Sequence, residues 1–229
     1  MRKVVLDTET TGLDYNSGHR LVEIGCIELL DNMPTGNFWH SYINPGRNVP
    51  SAAQEVHGLS DIFLQDKPKF EEIFSDFIEF IDISELIIHN ADFDLSFINS
   101  ELRTLNVPVI EKNRVIDTLE LAKEKFPGAA VNLDSLCRRY NISLENREKH
   151  GALIDAKLLA EVYLELTGGR QPVLDLDLKN KTKKDDLVTT EDTTSKRKDR
   201  TYLKYKLTEQ ELLMHTKLLS KITNPIWKR

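Results

Sequence analysis

Asp7 and Glu9 stand two residues apart at the end of an apolar run, Val4-Val5-Leu6. Asp94 follows a second apolar run, Leu86-Ile87-Ile88, where a helical pattern opens. His150 and Asp155 open the last long helical pattern before residue 170. Four carboxylates and one histidine on separate elements make up the set that two-metal phosphodiester chemistry requires. The carboxylates hold two cations, and the histidine takes a proton from water.

Each member also has a plainer reading. In extended chain, residues i and i+2 point the same way, so Asp7 and Glu9 present both carboxylates to one side. Like charges that close repel unless a cation lies between them. The plain alternative is two solvated acids in a turn. Asp94, within His89-Asn90-Ala91-Asp92-Phe93-Asp94, suits a helix N-cap equally well, and Asp92 is expected to face solvent. Asp155 lies among Leu153, Ile154, Leu158 and Leu159, where an unpaired carboxylate is costly and a metal removes the cost. A lone histidine is usually structural or exposed. His150, followed by Gly151 and placed just before Asp155, reads better as a base beside water on a metal.

The elements that must position these residues follow from pattern. Residues 4–6 read as a short buried strand, 8–18 as a turn, 20–30 as a long strand, 32–36 as a hairpin turn and 38–43 as a third strand. The spacing of Phe70, Ile73, Phe74, Phe77, Ile78 and Ile81 predicts a helix over 69–81. A strand at 86–89, a helix over 95–105 and a strand at 115–116 follow. Asp117 or Thr118 caps a helix running to Lys125, which Pro127-Gly128 breaks. Helices are expected at 132–140 and 152–166, the last closed by Gly168-Gly169. A meander followed by strand-helix-strand-helix gives an α/β fold with a mixed five-stranded sheet and flanking helices. Ligands in open sheets of this type bind near strand ends.

The chain has 229 residues, 40% of them hydrophobic, which suits one domain of ordinary size plus an appendage. Cys26 and Cys137 lie in apolar surroundings and read as small core residues, in keeping with a reducing compartment. Met1-Arg2-Lys3 is followed by only three apolar residues before Asp7, so no signal peptide is expected. No stretch reaches the roughly 20 apolar residues of a membrane span. The net charge of −6 is uneven. Residues 172–229 carry 14 basic and 9 acidic side chains, a net of +5, while residues 1–171 carry 17 and 28, a net of −11. An acidic domain attracts nucleic acid poorly by its field alone, but bound cations reverse the local field.

Three motifs in order carry a resemblance. Leu6-Asp7-Thr8-Glu9-Thr10-Thr11-Gly12, then His89-Asn90-Ala91 with Phe93-Asp94, then His150-Gly151-Ala152 with Asp155, resemble the motifs of the DEDDh 3′–5′ exonucleases. The match spans roughly residues 3–170, and the nearest likeness is to the proofreading subunits of bacterial replicative DNA polymerases. The resemblance implies a ribonuclease-H-like fold, with Asp7, Glu9, Asp94 and Asp155 binding two Mg²⁺ or Mn²⁺ ions and His150 as general base. Asp92 departs from the small or neutral residue that many relatives carry there. Val56-His57-Gly58-Leu59 resembles a family segment near the 3′-terminal nucleotide, although an exposed loop histidine fits nearly as well. Thr10, Thr11 and Leu13 resemble residues that pack the terminal base or sugar, and Asn90 joins them as a substrate contact.

Beyond residue 170 the character changes. Gln171-Pro172-Val173-Leu174-Asp175-Leu176 fits Q-x-x-L-x-L and resembles a bacterial sliding-clamp-binding peptide, with Gln171, Leu174 and Leu176 as its contacts. Residues 177–206 read as a flexible linker, since 179–200 is mostly Lys, Asp, Thr and Arg. Residues 207–229 resemble a polymerase-binding tail. Thr208-Glu209-Gln210-Glu211 is a capping box, Leu212, Leu219 and Ile222 make a stripe with Leu218 beside it, and Trp227 follows. The expected protein is a cytoplasmic bacterial 3′–5′ exonuclease. It acts on single-stranded 3′ ends of DNA, releases 5′-mononucleotides, and partners the polymerase catalytic (alpha) subunit and the sliding clamp. An RNA-processing exonuclease of the same fold and a non-catalytic assembly subunit are the rival readings.

Overall fold

The computed structural model describes residues 1–145, 147, 149–168 and 208–221. The proposed clamp peptide, the linker, Ile222 and Trp227 lie outside the described residues. The chain divides into two units, Met1–Leu176 and Asp177–Arg229.

The first unit opens with three strands, β1 (Arg2–Thr10), β2 (Leu21–Leu30) and β3 (Met33–Tyr42). They are followed by α1 (Ser51–His57), α2 (Asp61–Leu64), α3 (Phe70–Ile81), β4 (Glu85–Ile88) and α4 (Ala91–Thr104). Then come β5 (Val115–Asp117), α5 (Thr118–Lys125), α6 (Leu133–Arg139) and α7 (Ala152–Leu166). The sheet order is β3-β2-β1-β4-β5, antiparallel on the β3 side of β1 and parallel on the β5 side. This is the expected mixed five-stranded sheet.

Several boundaries differ from the sequence reading. The first strand runs to Thr10, so Asp7 and Glu9 sit inside it rather than in the turn after it. Antiparallel pairing with β2 carries the polar half of β1: Asp7 pairs Gly25 and Glu9 pairs Glu23. The hairpin turn is only Asp31-Asn32, both in the left-handed region, as a type I′ turn demands. β3 therefore starts at Met33, with Gly36 (φ 91°) near a register shift. Helices α1 and α2 were not read from the sequence, because both are too short to show periodicity. Helix α4 starts at Ala91, four residues earlier than its apolar pattern, with Asn90 left-handed at its start.

Central β1 is covered on both faces, which is why Val4, Val5 and Leu6 are all apolar instead of alternating. Val4 and Leu6 pack with Phe77, Ile81, Phe97 and Ile98 of α3 and α4. Val5 packs on the opposite face with Ala156, Leu159 and Tyr163 of α7. The two cysteines are free and buried, as expected of core residues. The second unit contributes α8 (Glu209–Leu219), whose Thr208–Glu211 capping box forms as read. Leu212, Leu213, Met214 and Leu218 are exposed on it, and Leu219 is buried. Among the described residues no helix is long and apolar enough to cross a membrane.

One glycine decides how closely α7 approaches the sheet. A Cβ on Gly25 would collide with the backbone of Ala152 and Leu153 at the start of α7. Because backbone cannot rotate away, Gly25→Ala is expected to push the first turn of α7, with Asp155, off β2. The expected cost is about 1–3 kcal/mol in urea unfolding, as for overpacking in general, together with a loss of nuclease activity. Unchanged stability and activity would show that α7 is free to shift.

Candidate active site

The site forms at the carboxyl ends of parallel β1 and β4. Pairing between them covers only Lys3 to Val5, so the stretch Leu6–Thr10 projects past the end of β4. Side-chain alternation sends Asp7 and Glu9 to the α7 face, with Val5. Thr8 points the other way and donates its hydroxyl to Asp94 Oδ1 at 2.7 Å. Asp94 lies in the first turn of α4 and is buried, 4% exposed. The N-cap reading of Asp94 is corrected here: Asn90 is the cap residue. Asp117 holds that helix start instead, taking the backbone N–H groups of Asn90 (3.1 Å) and Ala91 (3.0 Å) while capping α5 through Leu119 N. Asp92 is exposed, as expected, and pairs with Lys112.

Asp155 enters from α7. Its first turn is secured by Asp155 N donating to Gly151 O at 2.8 Å, and its carboxylate is buried. His150 precedes the helix; its backbone N donates to Val56 O in α1 (3.2 Å), and its side chain is half-exposed. Nδ1 lies 3.3 Å from Asp155 Oδ2. Glu9, His150 and Asp155 each offer a donor atom, and these atoms lie within 4.8 Å of one another.

The electrostatics are those of crowded acids. Burial pushes the Asp7 carboxyl well above the usual range, and the charges of Asp94, Glu9, Asp155 and Glu23 push it further. Burial raises Glu9 to about 8, reinforced by Asp155, Glu23 and Asp94 and opposed by Arg147. Burial raises Asp94 to about 7 against the lowering effect of its Thr8 hydrogen bond. The four acids therefore act on one another although only three of the candidate residues fall in the tight donor group. Such a set fits divalent cations, which neutralise buried oxygens without a proton.

Thr10, Thr11, Leu13 and His57 line one cavity of about 610 Å³ next to Glu9, together with Val56 and Phe93. Leu13 is 87% exposed at its rim. Thr11 is fully buried; its hydroxyl accepts from Arg20 N and bonds His19 Nδ1, so it shapes the loop. His57 is buried, not an exposed loop residue: it ends α1, accepts from Leu59 N, and its Nε2 has no hydrogen-bond partner among the described residues. Burial lowers its pKa. Asn90 is not among the residues lining this cavity.

Sequence reasoning missed Glu23 and Arg147. Glu23 is buried opposite Glu9 and bonds His40 Nε2 at 2.7 Å, visible only once the β1–β2 register is known. Arg147 touches Asp155, Asp134 and His150, and nothing in its loop's composition announces that.

Comparison with known proteins agrees with this geometry. The family model described as Exonuclease matches residues 4–163. The DNA polymerase III subunit epsilon of Rickettsia felis is 47% identical over 225 residues, 97% of each chain. That of Rickettsia prowazekii is 52% identical over 174 residues, covering 75% of this chain and 76% of its own. The nuclease domain of 3′hExo, a DEDDh family member solved bound to rAMP, superposes with a TM-score of 0.63 at 14% identity. That match covers 72% of this chain and 91% of that domain. Fold and site together define an exonuclease of ribonuclease-H-like architecture. The chain belongs to the Exonuclease family, on the branch of the DNA polymerase III epsilon subunits.

Raised carboxyls bind protons more tightly in the folded chain than in the unfolded one. In EDTA, stability is therefore expected to be greatest at low pH within the folded range. It is then lost as pH climbs from the ordinary carboxylate range through about 7 for Asp94 and about 8 for Glu9. Divalent cations compete with those protons, so the rise in Tm on adding Mn²⁺ should grow over the same interval. A metal-induced rise that is flat from pH 5 to 9 would refute the buried acids as the binding groups.

Proposed function

We propose that this 3′–5′ exonuclease removes mismatched nucleotides from DNA primer ends for a bacterial replicative polymerase. Asp7, Glu9, Asp94 and Asp155 are its ligands for two divalent cations, Mg²⁺ or Mn²⁺. The supporting observation is the convergence of four mutually repelling carboxylates at the ends of β1 and β4, with His150 beside them. When bound, such ions activate water and stabilise charge on the leaving oxygen.

His150 serves as the base. One nitrogen of its neutral imidazole keeps the lone pair that takes the proton of water, while Asp155 and Arg147 hold the ring from its Nδ1 side. Half exposure lets that proton pass to solvent. Leu13, Val56, Phe93 and His57 form the wall against which the 3′-terminal nucleotide packs. A mismatched end has already lost pairing, so it enters as a single strand at little cost. Selection for errors then needs no reading of base identity. The product is a 5′-mononucleotide.

The epsilon-subunit relatives support polymerase III as the assembly this chain serves. Helix α8, with four large apolar side chains exposed, suits docking on the polymerase catalytic subunit. Gln171, Leu174 and Leu176 are the proposed clamp contacts, and the cytoplasm is the proposed compartment.

Asp7→Ala is expected to abolish Mg²⁺-dependent digestion of a 3′ single strand while leaving the circular dichroism spectrum unchanged. His150→Ala should lower kcat by about 10²-fold or more. Full activity in either variant would remove that residue from the site. Deleting residues 201–229 should abolish polymerase capture without slowing digestion of free single strands. Undiminished capture would place the docking surface elsewhere.

A further inference from the structure

We infer that Arg147 is a positioning residue that locks Asp155 and the His150 segment into register for hydrolysis. This rests on the assignment of Asp155 and His150 above. The Arg147 side chain is only 8% exposed although it lies on a loop. Its Nε donates to Asp155 Oδ1 at 2.5 Å and its Nη2 to Asp155 Oδ2 at 2.7 Å, a two-pronged grip on one carboxylate. Nη1 donates to Asp134 of α6, and Nη2 comes within 2.9 Å of His150 Nδ1. One planar group thus ties α6, α7 and the segment before α7 together. No other described contact of the Asp155 carboxylate comes from a permanent cation.

The physical need for such a grip is clear from the neighbours. Asp155 stands among Asp7 and Glu9, whose carboxyls it repels. A free carboxylate there would rotate away to lower that repulsion. Two parallel hydrogen bonds fix both its plane and its charge. Each oxygen still keeps a second lone pair for another partner, so the grip does not use up the acid. With Nη2 also against His150 Nδ1, the same guanidinium sets the His150 ring beside Asp155. Lysine cannot reproduce this, since its ammonium has no fork and cannot span Asp155 and Asp134 in one plane.

The test uses the full chain with Arg147→Lys, Arg147→Gln and Asp134→Asn. Each is assayed for kcat and KM on a 3′ single-stranded oligonucleotide, for Mn²⁺ affinity by electron paramagnetic resonance, and for Tm. Arg147→Lys and Arg147→Gln are expected to lower kcat by about 10-fold or more, the range seen when outer-shell partners of metal sites are lost. KM should stay within about twofold, and Mn²⁺ should bind at least as tightly, because a competing cation has gone. Asp134→Asn, which loosens only the far end of the guanidinium, should lower kcat by a smaller factor, and should have no added effect in the Arg147→Lys background. Wild-type kcat in Arg147→Lys overturns the inference. So does a loss that saturating Mn²⁺ restores, or one that merely follows a fallen Tm. Asp155→Asn and His150→Ala are assayed in parallel. If those two stay active the site assignment itself has failed; if they are inactive and Arg147→Lys is not, only the role of Arg147 is refused.

Discussion

Repulsion among buried acids is the constraint around which this molecule is arranged. Asp7, Glu9, Asp94 and Asp155 come from three elements, and burial, reinforced by their crowding, raises the proton affinity of Asp7 and Glu9. A protein tolerates this only if the surrounding fold is rigid enough to hold the acids against one another. Central β1, buried on both faces, and the close seat of α7 on Gly25 provide that rigidity. On the proposed assignment of these acids as ligands, the stability so lost returns when cations enter, which couples folding to metal binding.

The scaffold assigns each acid a separate anchor. Strand alternation directs Asp7 and Glu9; Thr8, one residue between them, reaches the opposite face to steady Asp94. Asp117 fixes the start of α4 through two backbone amides, and so sets where Asp94 stands without touching it. Arg147 grips Asp155. Glu23 of β2, buried opposite Glu9, bonds the half-buried His40 of β3. These supports spread over β1, β2, β5 and the segment before α7, so the site depends on the whole sheet and not on one loop.

The cavity proposed for the terminal nucleotide is organised differently. It is lined by the Thr10–Leu13 turn and by α1, both poor in secondary-structure signal, and its wall is mostly apolar. An apolar wall suits any base, in keeping with the proposed action on frayed ends whatever their sequence. The net charge of −11 over residues 1–171 works against DNA if unbalanced, so cations at the proposed acid cluster would serve attraction as well as catalysis.

The sheet and its long helices were legible in the sequence, as were the five side chains proposed for the site. A buried strand reads as an apolar run, helices α3 and α7 show strong period, and carboxylates next to such runs have few reasons to be there. The length of β1 was not legible, because Thr8–Thr10 are polar and only pairing with β2 makes them strand. Short α1 and α2 carry too few turns to show a period, which left His57 looking like a loop residue when it is a buried helix end. Asp94 stayed open to a cap reading because local rules favour Asp at helix starts, whereas Asp117 takes the free amides of that start and Thr8 bonds Asp94. The sequence alone determined which groups are candidates for the chemistry and in which order along the chain they appear. Only the folded structure decided how near they stand, who supports them, and that an arginine with no local signal closes on Asp155. Distances between elements far apart in sequence are set by packing, and no local pattern encodes packing.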